Sequence, residues 1–241
     1  MSSNLGDERL LQLRQFAAGF SGLELERVNW QLLQLALIHP SWADQEGGPD
    51  NDRLEFLGDE VLRWFASDFL YRTYPNLAVG ELSAVRSVLV SDSELARLAE
   101  HYGLGAYLLV GRSADGDERG QTTRLADSFE AVIGALYLST SDLSLVRPWL
   151  LPHLERLSRD VLADPVRGNH KSALQELTQR LANGELPEYR PVGTPPPFRY
   201  EVWALGQCWG SGEGASKKLA QQAAARLAYE ALSSTFPPAL Q

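Results

Sequence analysis

The chain has 241 residues, 44% hydrophobic and 22% charged, as in an ordinary globular protein with room for one large domain or two modest ones. No run of about 18 apolar residues occurs, and the start, MSSNLGDERLLQLRQF, lacks the basic-then-apolar order of a secretory leader; no membrane is expected, and a cytoplasmic location fits. The single cysteine, Cys208, excludes an internal disulfide framework and a cysteine zinc cluster.

The apolar spacing predicts helices over Leu10–Gly19 and Gln31–Ile38. HPSWADQEGGPDNDR, with two prolines and two glycines, reads as a loop in which Asp50 or Asn51 caps the next helix. Asp52 to Tyr74 is a long helix, apolar on most sides and therefore central, stopped by Pro75. Further helices are expected over Gly80–Val90 and Ser93–Tyr102, a loop over Gly111–Gly120, then helices over Arg124–Leu138 and Leu151–Leu162, the latter with Pro152 in its first turn. The pattern changes after Asp164-Pro165, where a linker is expected. A helix over Lys171–Ala182, strands at Tyr189–Val192, Phe198–Leu205 and Gln207–Gly212, and an alanine-rich helix over Ser216–Leu232 complete the chain.

The net charge of −9 looks unsuited to a nucleic-acid partner, but it divides unevenly. From Val166 onward there are 8 basic and 6 acidic residues, leaving 14 basic against 25 acidic before it. Bulk acidity ordinarily serves solubility; only clustering where water is scarce carries chemistry.

Such clustering occurs twice. Asp52, Glu55 and Asp59 stand at i, i+3 and i+7 of the central helix, on one face and among Leu54, Phe56, Leu57, Val61 and Leu62. Asp127 and Glu130 repeat the i, i+3 spacing beside Phe129, Val132 and Ile133. Like charges repel, and carboxylates beside a core carry a desolvation cost. The two ladders either remain solvated on helix edges or share a cation; oxygen donors without His or Cys favour Mg²⁺ or Mn²⁺ over zinc. Spacing alone leaves both readings open.

NDRLEFLGDEVL resembles the ribonuclease III signature, and LADSFEAVIGALYL resembles that family's second acidic motif; HPSWA and GELSAVRSVLVS fall where the family has similar segments. The resemblance covers nearly the whole chain. It implies an endoribonuclease that hydrolyses double-stranded RNA, leaving 5′-phosphate and 3′-hydroxyl ends, with Mg²⁺ (Mn²⁺ substituting) and roles in ribosomal and messenger RNA processing. Carried over, the metal ligands are Glu55, Asp127 and Glu130, the catalytic carboxylates Asp59 and Glu130, and the outer acid Asp52. Most members of the family carry Glu where Asp52 stands, and often an acid where Val79 stands. Phe56 reads either as a core aromatic or, by resemblance, as a contact into a second subunit of a homodimer, whose two sites would cut both strands. Gly58 costs its helix roughly 1 kcal/mol relative to Ala, which close approach of a helix or subunit would explain.

GEGASKKLAQQAAARLAYEAL, after three strands, resembles the double-stranded-RNA-binding domain. Lys217 and Lys218 at the start of the last helix suit phosphates, and Ser216 suits its N-cap. Gln175, Glu176 and Gln179 can reach 2′-hydroxyls in the shallow minor groove. The loop GTPPPF (Gly193 to Phe198) lacks the histidine common in that family. His39, His101, His153 and His170 have no ligand spacing, and without a phosphate loop or nucleophile elbow no small-molecule cofactor is expected. The expected architecture is α+β: an all-α endonuclease domain over 10–164, a linker over 165–169, and an α-β-β-β-α domain over 170–235. Two rivals are an inactive RNA-binding scaffold and a purely structural helical dimer.

Overall fold

The computed structural model describes residues 6–112, 114, 116–163, 170–181, 184–194 and 196–236. The chain divides into two compact units, Met1–Arg159 and Asp160–Gln241. The linker expected over 165–169 lies outside the described residues, as do Asp164, Ala182 and Pro195.

The first unit is helical: α1 (Asp7–Ala17), α2 (Trp30–Ala36), α3 (Pro40–Glu46), α4 (Asp52–Thr73), α5 (Val79–Leu89), α6 (Asp92–His101), α7 (Glu118–Thr140) and α8 (Arg147–Ala163), within whose last part the division falls. The two longest helices, α4 and α7, lie against each other at its centre. Leu54, Leu62, Phe65 and Ala66 of the first, and Ala126, Phe129, Val132 and Ile133 of the second, are almost wholly buried. Their closeness has a specific cause. A Cβ on Gly58 would fall 1.8 Å from the Glu130 carbonyl oxygen, and one on Gly134 would fall 2.4 Å from the Leu54 carbonyl oxygen. Two glycines thus face each other's helix across the crossing and let backbone touch backbone. The helix propensity lost at Gly58 is exchanged for this approach.

Three sequence expectations are corrected. His39–Arg53 is not all loop, because Pro40–Glu46 forms α3. Pro40 suits a first helical position, the His39 ring nitrogen accepts from the Ser41 backbone N–H, and Gly47, at φ +78°, ends the helix. Helix α7 begins at Glu118 rather than Arg124, taking in the end of the expected loop. Helix α8 begins at Arg147, so Pro152 lies inside it and forgoes one helical hydrogen bond. Around its start, Trp149 is fully buried and donates to the Leu145 carbonyl at 2.7 Å.

The second unit has α9 (His170–Leu181), β1 (Glu188–Pro191), β2 (Phe198–Ala204), β3 (Gln207–Gly214) and α10 (Lys217–Thr235). The strands form one antiparallel sheet in the order β1-β2-β3, with a bulge at Val202/Trp203. Its core joins Leu174 and Leu177 of α9, Val202 of β2, and Ala224, Ala228 and Leu232 of α10. The alanine richness of α10 has a steric reason. A Cβ on Gly212 of β3 would fall 2.2 Å from the Ala224 backbone nitrogen, so small residues on both elements let the helix lie directly on the strand.

Candidate metal centre and nucleic-acid interface

The α4–α7 crossing decides where the acids go. Glu55 lies one turn before Asp59 and Asp127 one turn before Glu130, and the glycine contact brings the two ladders face to face. One carboxylate oxygen each from Glu55, Asp127 and Glu130 lie within 4.8 Å of one another. Glu130 is the most enclosed, at 9% exposure.

Three acids so placed cannot all hold their charge. Burial pushes Glu130 up to about 8, with Asp59, Asp127 and Glu55 adding repulsion. Burial raises Glu55 to about 7, reinforced by Asp127, Asp52 and Asp59. Asp127 rises to about 6, again chiefly by burial, with Asp92 and Asp52 contributing. Carboxylates crowded this closely fit a divalent cation; their all-oxygen donors suit a hard ion such as Mg²⁺ or Mn²⁺.

The remaining sequence-predicted acids stand outside this trio. Both oxygens of Asp59 accept from Arg63 Nε, at 2.6 and 2.8 Å. Asp52 is exposed at the start of α4. The Val79 side chain is 79% exposed, while Glu81 accepts from the Ala78 backbone N–H and so caps α5. Phe56 points away from the core at 77% exposure, which excludes the core-aromatic reading.

Asn51, in sequence a candidate cap, has another task in the structure. Its side chain makes no cap; the Asp50 carboxylate accepts from the Asp52 backbone N–H instead. Asn51 is 1% exposed and its amide donates to the Ala36 carbonyl and to Ser128 Oγ, both at 3.2 Å. It ties the end of α2 and the start of α4 to the turn of α7 that carries Asp127 and Glu130. The signal in the sequence is a polar residue directly before an apolar helix, but its partner Ser128 is 77 positions away. Asn51→Leu leaves two buried partners unsatisfied and is expected to cost about 1–3 kcal/mol, measured as a lower denaturation midpoint at unchanged m-value. An unchanged midpoint would show that the amide is not a tie.

In the second unit, Gln175, Glu176 and Gln179 are exposed together along α9, and Lys217 and Lys218 are exposed in the first turn of α10. Ser216 caps that helix by accepting from the Leu219 backbone N–H at 3.3 Å. The N-terminal N–H groups, the helix dipole and two ammonium groups therefore share one end of α10.

A ribonuclease-III-like family model matches residues 29–146, and a double-stranded RNA binding motif model matches residues 170–232. Ribonuclease 3 of Gloeobacter violaceus is 72% identical over 97% of this chain and 96% of its own length. The chain belongs to the ribonuclease III family. A second relative, ribonuclease 3 2 of a Nostoc species, is 49% identical over 85% of this chain and 86% of its own length. A solved nuclease domain of ribonuclease III from Campylobacter jejuni is 26% identical over 65% of this chain and 97% of that one, with a TM-score of 0.48.

As a member of the ribonuclease III family the protein is an endoribonuclease of double-stranded RNA, and the inactive-scaffold and structural-dimer readings are set aside. Enzymes of this family need a divalent metal, and the trio on α4 and α7 is an acidic cluster that offers the donors for one. No helix among the described residues is long and apolar enough to cross a membrane.

Proposed function

We propose that Glu55, Asp127 and Glu130 hold Mg²⁺, with Mn²⁺ as a substitute, and that Asp59 and Glu130 serve the hydrolysis of the RNA phosphodiester to 5′-phosphate and 3′-hydroxyl ends. The observation that carries this reading is the convergence of three oxygens within 4.8 Å on groups whose protonation is raised by burial and mutual repulsion. When bound, the ion supplies Lewis-acid activation of water and stabilises charge on the leaving oxygen. Glu55 and Asp127 would hold the ion from opposite helices. Glu130, the most enclosed of the three, would be the innermost donor. Asp59, at the rim and beside Glu130, accepts a hydrogen bond from the attacking water and takes its proton.

The second unit delivers the substrate, with Lys217 and Lys218 on phosphates and Gln175, Glu176 and Gln179 on minor-groove hydroxyls. Lys217→Ala combined with Lys218→Ala is expected to weaken duplex binding and to reduce the slope of log affinity against log salt by about 2, in a salt titration of binding. An unchanged slope would place the phosphates elsewhere.

The exposed Phe56 supports a homodimer in which two sites address the two strands. The nuclease domain spans 10–164 and the RNA-binding domain 170–235, joined by 165–169. Processing of ribosomal and messenger RNA in the cytoplasm fits this activity, with no small-molecule cofactor.

The pH dependence comes from the raised carboxyls. Their folded values of about 6 to 8 exceed the unfolded values near 4. The metal-free folded chain therefore binds more protons than the unfolded chain across that window, and their contribution to stability falls as pH rises through it. Bound Mg²⁺ replaces those protons. The rise in melting temperature on adding Mg²⁺ is expected to be larger near about pH 8.5 than near about pH 5.5. Equal rises at both would contradict the site.

The function itself is tested by incubating a labelled, fully paired RNA duplex with the protein and Mg²⁺, Ca²⁺ or EDTA, with single-stranded RNA and DNA duplex as controls. Cuts confined to RNA duplex and to Mg²⁺ are expected. Duplex binding without cleavage under Mg²⁺ and Mn²⁺ would overturn the reading.

A further inference from the structure

Exposed i, i+4 ion pairs on helices usually contribute little. The pair between Asp59 and Arg63 differs from the others in where it sits. Arg63 Nε engages both Asp59 oxygens, at 2.6 and 2.8 Å, whereas in the comparable pair later on α4 the Arg72 Nε meets one oxygen of Asp68. Asp59 is only 27% exposed, and it directly follows Gly58, the residue at which α4 touches the main chain of Glu130. Arg63 also feels the charges of Glu130 and Glu60. Arg63 thus grips the carboxylate that stands beside the α4–α7 contact at Glu130, the deepest member of the trio.

From this geometry we infer that Arg63 is a positioning residue for the cleavage reaction: its guanidinium holds Asp59 back from the metal trio, so that Asp59 remains an acceptor for water instead of becoming a fourth ligand. The inference rests on the metal-site reading proposed for the trio. Its physical basis is a competition. Asp59 stands one turn after Glu55 and next to the glycine that touches Glu130, so without its clamp it can turn one oxygen toward an ion at the trio. A charge-assisted bond from Arg63 offsets that attraction and fixes the direction of both lone-pair faces. A fourth carboxylate and one fewer neighbouring cation would make the site bind metal more tightly, since affinity for hard cations rises with the number of charged ligands. The same change would remove the acceptor from the water.

The two consequences have opposite signs, which separates this role from others. Arg63→Gln and Arg63→Lys are compared with the unaltered full-length protein in three measurements. These are Mn²⁺ binding followed by the signal of the free ion, duplex affinity in Ca²⁺, and single-turnover cleavage in Mg²⁺. Arg63→Gln is expected to bind Mn²⁺ about threefold or more tightly, to cleave about tenfold or more slowly, and to hold duplex as before. Arg63→Lys, which keeps the charge, is expected to recover most of both changes. Unchanged metal affinity and rate would reduce the pair to a solvated surface contact and overturn the inference alone. Weaker duplex binding with a normal rate at saturation would make Arg63 a phosphate contact and overturn it as well. Failure of the unaltered protein to bind Mn²⁺ would remove the site itself, and both readings with it.

Discussion

Glu130→Gln is expected to slow cleavage of an RNA duplex by about a thousandfold or more, equivalent to some 4 kcal/mol of lost transition-state stabilisation, while duplex affinity in Ca²⁺ stays within about twofold. The substitution keeps side-chain volume and removes one anion from the most enclosed position of the trio. What is lost is a metal donor; what is relieved is repulsion from Asp59, Asp127 and Glu55. The metal-free variant is therefore expected to melt at the same temperature as the parent or higher near neutral pH, because a buried carboxylate crowded by three others destabilises the fold. Reduced activity with raised or equal stability identifies a functional residue; a fall in both would mark Glu130 as structural. Rates under saturating duplex and a thermal melt in EDTA suffice.

Gly134→Val and Gly58→Ala are expected to damage the fold and the site together. In helix propensity alone, Ala would stabilise α4 by about 1 kcal/mol over Gly. Against this stands a Cβ placed 1.8 Å from the Glu130 carbonyl oxygen, a contact only backbone movement can relieve. Overpacking a well-filled interior costs about 1–3 kcal/mol where side chains give way, and more where main chain must. The steric term exceeds the propensity term, so a net loss of about 3 kcal/mol is expected for Gly58→Ala, seen as a melting temperature lower by roughly 6–12 °C. Because separating α4 from α7 parts Glu55 from Glu130, metal affinity should fall as well. Gly80, on α5, has nothing within 4 Å of an added Cβ, and Gly80→Ala is the control, expected to be neutral or slightly stabilising. If Gly58→Ala behaved like Gly80→Ala, the close crossing would be refuted.

The two acidic ladders are legible in the sequence because helical spacing is fixed by geometry: i, i+3 and i+7 share a face wherever the helix lies. Which face meets which is not. Pairing the ladders requires knowing that Gly58 opposes Glu130 and Gly134 opposes Leu54, contacts some seventy to eighty positions apart. Gly58 hints at close approach; Gly134, inside the GALYL run, does not. Asn51 and Arg63 are hard to read for a related reason. A single Asn before a helix looks like a cap, and an Arg four residues after an Asp looks like a surface pair, until the third partner is in view. In the same way α3 hides behind prolines and glycines that mark its two ends rather than its absence. In the second unit the order helix, three strands, helix is plain, since strand alternation and the alanine-rich run are local signals. The glycine stripe of β3 beneath α10 becomes intelligible only with the two elements packed.

The central claim is that the α4–α7 trio exchanges its protons for a divalent ion. Calorimetric titration of the full-length protein with Mg²⁺ near about pH 7, repeated in two buffers of different ionisation enthalpy, measures that exchange directly. The expected result is binding that releases about one proton or more per ion, in line with values of about 7, 6 and 8 on Glu55, Asp127 and Glu130. Binding with no buffer-dependent heat, or no binding at millimolar Mg²⁺, would contradict it.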